Sequence, residues 1–189
     1  MRVLGISGSL RRDSYNSGLL RAAAEQLPAG VELEVFDGLK AIPPYDADDD
    51  VDVAPASVRQ LRDAIADADA VLIATPEYNA SVPGVLKNAL DWASRPHATN
   101  PLRGKPAAVV GTSTGMFGAV WAQADARKIL STIGARVLDR ELPVPEAAER
   151  FDADGTLRDG EVEAQLSELL VELADAVEAR EAALARAAA

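Results

Sequence analysis

A carboxylate, a phenol and an amide stand together in segment 76–79, whose sequence is Pro-Glu-Tyr-Asn. The apolar run before it, residues 70–74, is typical of a strand buried on both faces. The residues after it carry a helical pattern, with Ser81 as the predicted N-cap and Pro83 in the first turn. Ligands bind at the carboxyl edge of open α/β sheets, where such a loop lies. An ordinary strand-to-helix turn fits the same local pattern, so other segments must decide.

A second polar loop follows the first apolar run of the chain and covers residues 8–17. It carries the hydroxyls of Ser9 and Ser14, the amide of Asn16 and the guanidinium of Arg11, just before a predicted helix. The N–H groups of a helix start attract anions, and hydroxyl and guanidinium donors strengthen the hold on a phosphate. The loop has the glycine spacing of neither a dinucleotide fingerprint nor a P-loop, which favours a single phosphate monoester.

A third loop, residues 113–118, follows the apolar run 107–111 and contains two glycines that permit close approach of a ligand. Together with Tyr78 and the backbone of segment 76–79, it can hold a flat heteroaromatic ring. A phosphate cradle and two ring-holding loops at one sheet edge outline a site for FMN.

These motifs resemble those of the NAD(P)H-dependent FMN reductase family, and its chromate and quinone reductase branch is the most similar. The resemblance covers residues 3–138 and rests on Gly-Ser-Leu-Arg at 8–11 and Pro-Glu-Tyr-Asn at 76–79, supported by Pro-Gly at 83–84 and Asp-Trp at 91–92. It implies a flavodoxin-like fold, bound FMN and NAD(P)H as electron donor. By position, the implied cofactor-binding residues are Ser9, Leu10, Arg11, Ser14, Tyr15, Asn16 and Ser17 at the phosphate, Pro76, Glu77, Tyr78 and Asn79 at the ring, and Ser113, Thr114 and Gly115 on its other side.

The resemblance also implies a function. NAD(P)H reduces the flavin, and a small-molecule acceptor (a quinone, an azo or nitro compound, or a metal oxyanion such as chromate) then takes the electrons at the same face in a ping-pong reaction. The cofactor carries the chemistry, so no residue is predicted as a catalytic acid or base. Two alternatives stay open: a reductase that supplies reduced FMN to a partner monooxygenase, and a non-enzymatic electron carrier with an acidic docking surface. Relatives often carry a second aromatic residue where this chain has Ala80, a difference that bears on substrate choice.

The composition excludes several other classes. The net charge is −11, and residues 139–189 alone carry 14 acidic and 5 basic side chains, so no nucleic-acid partner is expected. No apolar run approaches the roughly 20 residues of a membrane span, and no signal-peptide pattern is present, so a cytoplasmic protein is expected. With no cysteine and a single histidine, His97, neither a metal site nor a Ser-His-Asp triad is predicted, and His97 is interpreted as a surface-loop residue.

Strand and helix patterns alternate along the chain, which predicts an α/β protein with a parallel sheet between two helical layers. The predicted strands are 3–6, 32–36, 70–74, 107–111 and 136–138, and the predicted helices are 17–26, 57–65, 85–92 and 119–133. Five strands without a second lobe favour a flavodoxin-like three-layer sandwich with strand order 2-1-3-4-5. Residues 1–189 are predicted to form one FMN-binding domain, with an exposed acidic run at 46–52.

The segment from about 160 to 181 is predicted as a C-terminal amphipathic helix that covers the fold, and the last eight residues are expected to fray. Trp92 and Trp121 are interpreted as core or interface anchors. Homologous enzymes of this kind are dimers or tetramers, so a homodimer or homotetramer is expected, and Glu77 and Arg127 are predicted to pair across the subunit interface.

Overall fold

The computed structural model describes residues 1–51 and 54–188, so Asp52 of the predicted acidic run lies outside the described residues. Helices and strands alternate as the sequence predicts. The strands are β1 (Arg2–Ser7), β2 (Glu32–Phe36), β3 (Ala70–Thr75), β4 (Pro106–Thr112), β5 (Arg136–Val137) and β6 (Pro143–Val144), and the helices are α1 (Tyr15–Gln26), α2 (Ala56–Asp67), α3 (Gly84–Ala93), α4 (Val120–Ile133), α5 (Ala147–Arg150) and α6 (Gly160–Ala188).

All strand pairs in the sheet are parallel, and the order β2-β1-β3-β4-β5 confirms the predicted 2-1-3-4-5 arrangement. The sixth strand, β6, was not predicted and pairs with the end of β4, where Gly111 lies opposite Pro143. Because the strands are parallel, the carboxyl ends of β1, β3 and β4 lie side by side at one edge. The three loops with predicted chemistry therefore start next to one another.

Two apolar cores flank the sheet because alternate residues of each strand point to opposite faces. On β1, Leu4 and Ile6 belong to the core beneath α2, α3 and α4, while Val3 belongs to the core beneath α1 and α6. Every residue of β3 and β4 is buried, as expected for central strands covered on both sides. This rigid centre fixes the positions of the loops that leave it.

Several boundaries differ from the predictions. Helix α1 begins at Tyr15, two residues early, and α6 continues to Ala188, where the sequence suggested an end near 181 and a frayed tail. The predicted loop 39–54 contains two 3₁₀ turns, Gly38–Ala41 and Ala47–Asp49. Within its acidic run, Asp46, Asp48 and Asp49 are exposed, while Asp50 pairs with Arg62 at 2.9 Å.

The two tryptophans differ in their surroundings. Trp92 is fully buried in the core, and its indole N–H donates to the Pro43 carbonyl at 2.9 Å, which confirms its predicted anchoring role. Trp121 at the start of α4 is 47% exposed and contacts Phe117 edge-on. Among the described residues, no helix combines the length and the apolar character that a membrane crossing requires.

Candidate cofactor site

A cleft of about 310 Å³ opens at the carboxyl edge of the sheet, where β1, β3 and β4 end. Its volume is in the range of small-molecule and cofactor pockets. It is lined by Ser9, Arg11, Ser14, Tyr15, Asn16, Pro76, Glu77, Tyr78, Thr112, Ser113 and Thr114. Ten of these residues are among the predicted cofactor ligands, and Thr112 is an addition. Four predicted ligands are not part of this lining: Leu10, Ser17, Asn79 and Gly115.

The phosphate loop, residues 8–14, leads from β1 into α1 and forms one end of the cleft. Ser14 is the N-cap of α1, and its hydroxyl accepts a hydrogen bond from the Asn16 N–H at 3.2 Å. The exposed guanidinium of Arg11 lies over the Tyr15 ring, 5.1 Å from its centroid. Hydroxyls, a guanidinium and the positive end of a helix therefore converge at this end, which is the donor set that a phosphate needs.

Asn16 lies in the first turn of α1 and contributes to the cleft in a different way from the prediction. Its buried amide donates to the Thr112 carbonyl at 3.0 Å and accepts from the Thr112 N–H at 3.1 Å. These two hydrogen bonds tie the start of α1 to the end of β4. The Asn16 side chain therefore braces two loops, and its predicted contact with the phosphate stays a prediction.

Ser17 shows a similar difference. Its hydroxyl donates to the Ser7 hydroxyl at 3.2 Å, so it is engaged at the end of β1 and does not line the cleft. Leu10 is 45% exposed on the outside of the loop. At the phosphate end of the cleft, the side chains that can donate to a phosphate are therefore those of Ser9, Arg11 and Ser14.

The ring loop, residues 76–83, joins β3 to α3 and forms the other end of the cleft. Tyr78 and Ser81 exchange two backbone hydrogen bonds of 3.0 and 3.2 Å. The two residues between them, Asn79 and Ala80, have φ angles of 54° and 59°. Two successive left-handed residues between paired strands define a type I′ turn, a conformation that asparagine tolerates and alanine disfavours. The tip of the loop is therefore strained at Ala80.

Ser81 was predicted as the N-cap of α3, and the structure corrects this. Pro83 precedes the helix without a side-chain cap, and the Ser81 hydroxyl donates instead to Asp125 Oδ2 on α4 at 2.7 Å. This hydrogen bond ties the far side of the ring loop to α4.

Glu77 makes the second tie between the ring loop and α4. Its Oε2 atom accepts from the backbone N–H groups of Trp121 at 3.0 Å and Ala122 at 3.2 Å. Arg127, its predicted partner across a subunit interface, pairs within the chain with Asp139 and, at 2.6 Å, with Glu141. Both side chains thus have partners within the chain, and the predicted intersubunit pair stays a prediction.

The third loop, residues 112–118, is held by elements that the sequence did not predict. The Ser113 N–H donates to the Val144 carbonyl of β6 at 3.2 Å, and the Ala147 N–H at the start of α5 donates to the Ser113 carbonyl at 3.0 Å. Gly118 has a φ of 56°, and a Cβ atom there would lie 2.5 Å from the Val144 nitrogen. The loop can follow its path past β6 only because residue 118 is a glycine.

The cleft matches the chemistry of FMN. One end offers hydroxyl, guanidinium and helix N-terminal donors for a phosphate, and the other end offers Pro76 and Tyr78 opposite Ser113 and Thr114 for a flat ring. The two loops start close to each other, since a Cβ atom on Gly8 of the phosphate loop would lie 3.3 Å from Pro76 of the ring loop. His97 lies elsewhere, exposed in the loop after α3 with Arg103 Nη2 at 3.2 Å from its ring.

A parallel sheet of order 2-1-3-4-5 with a polar cleft at its carboxyl edge defines a flavodoxin-like cofactor-binding protein. A flavodoxin from Pseudomonas aeruginosa shares this fold, with a TM-score of 0.56 at 18% identity over 94% of this chain and 99% of that chain. The sequence model of the family described as NADPH-dependent FMN reductase matches residues 1–149. The chain belongs to this family.

Relatives with known names agree with that assignment. An NAD(P)H-dependent FMN reductase of Pseudomonas aeruginosa is 46% identical over 160 residues, which is 84% of this chain and 85% of the relative. A 2-hydroxy-1,4-benzoquinone reductase from Burkholderia is 40% identical over 83% of this chain and 85% of the relative. The solved structure of FerB, a flavoenzyme NAD(P)H:(acceptor) oxidoreductase from Paracoccus denitrificans, superposes with a TM-score of 0.85 at 38% identity, covering 95% of this chain and 98% of that chain.

The predicted cofactors, FMN and NAD(P)H, and the predicted oxidoreductase class are confirmed by these comparisons. Membership of an enzyme family decides against the alternative of a non-enzymatic electron carrier. The individual cofactor contacts remain predictions, and the structure adds intramolecular partners for the side chains of Asn16, Ser17 and Glu77.

Proposed function

We propose that this protein is an FMN-dependent NAD(P)H:quinone reductase. The observation that carries the proposal is the cleft itself, which joins phosphate-type donors at Ser9, Arg11 and Ser14 to a ring-holding end at Pro76 and Tyr78. Three relatives named as quinone reductases support the choice of acceptor, from Burkholderia, Pseudomonas putida and Escherichia coli.

The residues divide the work of holding the cofactor. Ser9, Arg11 and Ser14 would hold the phosphate, while Pro76, Tyr78, Ser113 and Thr114 would hold the ring. Bound FMN supplies the hydride chemistry. The protein contributes by orienting the ring and by holding polar donors close to it, which stabilises negative charge that develops there.

Access to the ring end supports a ping-pong order. Tyr78 is 52% exposed, and the neighbouring tip residue, Ala80, is exposed and carries only a methyl group. One open face of the bound ring would be accessible to the nicotinamide and to the acceptor in turn. Planar aromatic acceptors fit such a face best, since they stack against aromatic side chains and the ring. Azo compounds, nitro compounds and chromate are further candidate acceptors.

The first experiment is anaerobic addition of NADPH to the purified, FMN-loaded protein, followed by a benzoquinone. The proposal predicts bleaching of the yellow flavin and then full reoxidation by a stoichiometric amount of quinone. Parallel lines in double-reciprocal plots of initial rate would support the ping-pong order. A flavin that stays oxidised with both NADPH and NADH, or that is reduced but not reoxidised by quinone, contradicts the proposal.

The second candidate function is the supply of reduced FMN to a partner monooxygenase. Retention of the flavin during turnover distinguishes it from quinone reduction. A quinone reductase keeps its FMN during turnover, whereas a flavin supplier consumes free FMN as a substrate with a measurable KM. The polar contacts at both ends of the cleft favour retention. The predicted homodimer or homotetramer remains a prediction, which sedimentation velocity of the FMN-loaded protein will test.

A further inference from the structure

We propose that Glu77 is a positioning residue whose carboxylate joins the ring loop to helix α4 and thereby sets the shape of the ring end of the cleft. The inference rests on the proposed flavin site. It differs from the motif-based expectation, in which the Glu77 side chain contacts the isoalloxazine directly.

Helix α4 lacks a side-chain cap of its own. A helix begins with N–H groups that lack an intrahelical partner, and a side chain at the N-cap usually accepts one of them. The N-cap of α4 is Ala119, which has a φ of 61° and no side-chain acceptor, and the first turn contains no acidic residue. The helix therefore depends on an acceptor from elsewhere in the chain.

Glu77 supplies this acceptor from 44 residues away in sequence. Its Oε2 atom accepts from the N–H groups of Trp121 and Ala122 at 3.0 and 3.2 Å. A carboxylate at this position is stabilised by the positive end of the helix as well as by two charge-assisted hydrogen bonds. This oxygen is engaged on α4, and the bond fixes the position of the loop.

The hydrogen bonds between Glu77 and α4 control the shape of the ring end of the cleft. Glu77 stands between Pro76 and Tyr78, which both line the ring end of the cleft. On the other side of the strained turn, Ser81 donates to Asp125 of the same helix at 2.7 Å. The two ties bracket the left-handed residues Asn79 and Ala80, and the loop is anchored to α4 at both of its sides. Release of Glu77 frees the side that carries Tyr78.

The experiment compares Glu77→Ala with Glu77→Gln. Glutamine keeps an oxygen that accepts the same two N–H groups but loses the charge, and alanine loses both. Binding of FMN and of riboflavin is followed by quenching of flavin fluorescence. Riboflavin has no phosphate, so its affinity reports the ring end alone. We expect Glu77→Ala to weaken both flavins by the same factor of about ten, equivalent to about 1.4 kcal/mol, and Glu77→Gln to weaken them less than threefold.

Two controls define the outcome. Glu149→Ala removes an exposed carboxylate on α5 away from the cleft and is expected to leave both affinities unchanged. Circular dichroism establishes that each variant is folded. Unchanged riboflavin affinity in Glu77→Ala overturns the inference. A loss of flavin affinity in Glu77→Gln equal to that in Glu77→Ala also overturns it, because the charge and not the brace would then matter. If the parent protein binds neither flavin, the proposed function fails, which is a different result from either of these.

Discussion

The phosphate loop and the ring loop meet in one cleft but are built in different ways. The phosphate loop is followed by a helix whose cap, Ser14, belongs to the loop itself, and its donors are individual side chains such as Arg11. The ring loop is shaped by its backbone, with Asn79 and Ala80 in the left-handed region, and its carboxylate Glu77 caps the distant helix α4.

This difference has a consequence for mutation. The Arg11 guanidinium can be removed without altering the path of the phosphate loop, so the effect should be confined to the phosphate of the ligand. A change in the ring loop or in a brace alters the shape of the site or the stability of the fold.

The brace at Asn16 should give the largest effect on stability. Asn16→Leu leaves both the N–H and the carbonyl of the buried residue Thr112 without their partner. Each unpaired buried group costs about 1–3 kcal/mol, so the free energy of unfolding should fall by about 3 kcal/mol in urea denaturation. Ser17→Ala, which removes a half-buried hydroxyl one residue away, should cost less than about 1 kcal/mol. Similar losses in the two variants would contradict the bracing role.

Arg11 should affect the ligand and not the fold. Arg11→Ala removes a charge-assisted contact, so FMN should bind about 30-fold more weakly while riboflavin binds as before. Arg12→Ala is the matched control, because Arg12 is the neighbouring exposed arginine and does not line the cleft. Fluorescence titration measures both ligands. An equal loss for FMN and riboflavin would place Arg11 at the ring and not at the phosphate.

Asp159 is the carboxylate cap of helix α6 and does not line the cofactor cleft, so it serves as the reference for Glu77. The Val162 and Glu161 N–H groups and the Arg150 side chain all donate to Asp159, and these bonds hold its pKa below the usual value of 3.8. Because its pKa is lower in the folded state, its contribution to stability is present above pH 3.8 and is lost as the pH falls through the folded pKa.

Asp159→Ala should therefore lower the free energy of unfolding by about 1 kcal/mol at neutral pH, a typical value for an N-cap. The difference from the parent protein should shrink as the pH is lowered below 3.8, and FMN affinity at neutral pH should not change. A changed FMN affinity would remove the distinction between a cap that shapes the site and a cap that does not.

The strained turn should give the smallest effect, with the opposite sign. Ala80→Gly relieves a left-handed alanine, a gain of about 1–2 kcal/mol, and adds up to about 1 kcal/mol of entropy to the unfolded chain. The net result should be a slightly higher melting temperature. Ala124→Gly is the matched control on the exposed face of α4, where the same substitution should lower stability by about 1 kcal/mol. A lower melting temperature in both Ala80→Gly and Ala124→Gly would contradict the strain at Ala80.

The fold was largely predictable because its signals are local. Apolar runs such as Ala70–Thr75 are typical of buried strands, and their alternation with helices leaves few possible sheet orders. Strand β6 was missed because it has two residues, one of them proline, and pairs with β4 through long-range contacts. Helix α5 was missed because it is a single turn.

The sequence motifs predicted where the cleft lies, but they did not predict what particular side chains do in it. Asn16 and Glu77 have the side-chain types of ligands, and their partners lie 96 and 44 residues away in sequence. No local pattern distinguishes a ligand from such a brace. One signal was present for Glu77: α4 follows Gly118 and Ala119, neither of which can cap it, so an acceptor from another loop was required.

A crystal structure of the protein with FMN would test the proposed site most directly. We expect phosphate oxygens at about 2.7–3.2 Å from donors of Ser9, Arg11 and Ser14, with the ring beside Pro76 and Tyr78 and Glu77 still bound to the N–H groups of Trp121 and Ala122. A phosphate away from Arg11, or a Glu77 carboxylate that has left α4 to contact the ring, would contradict it.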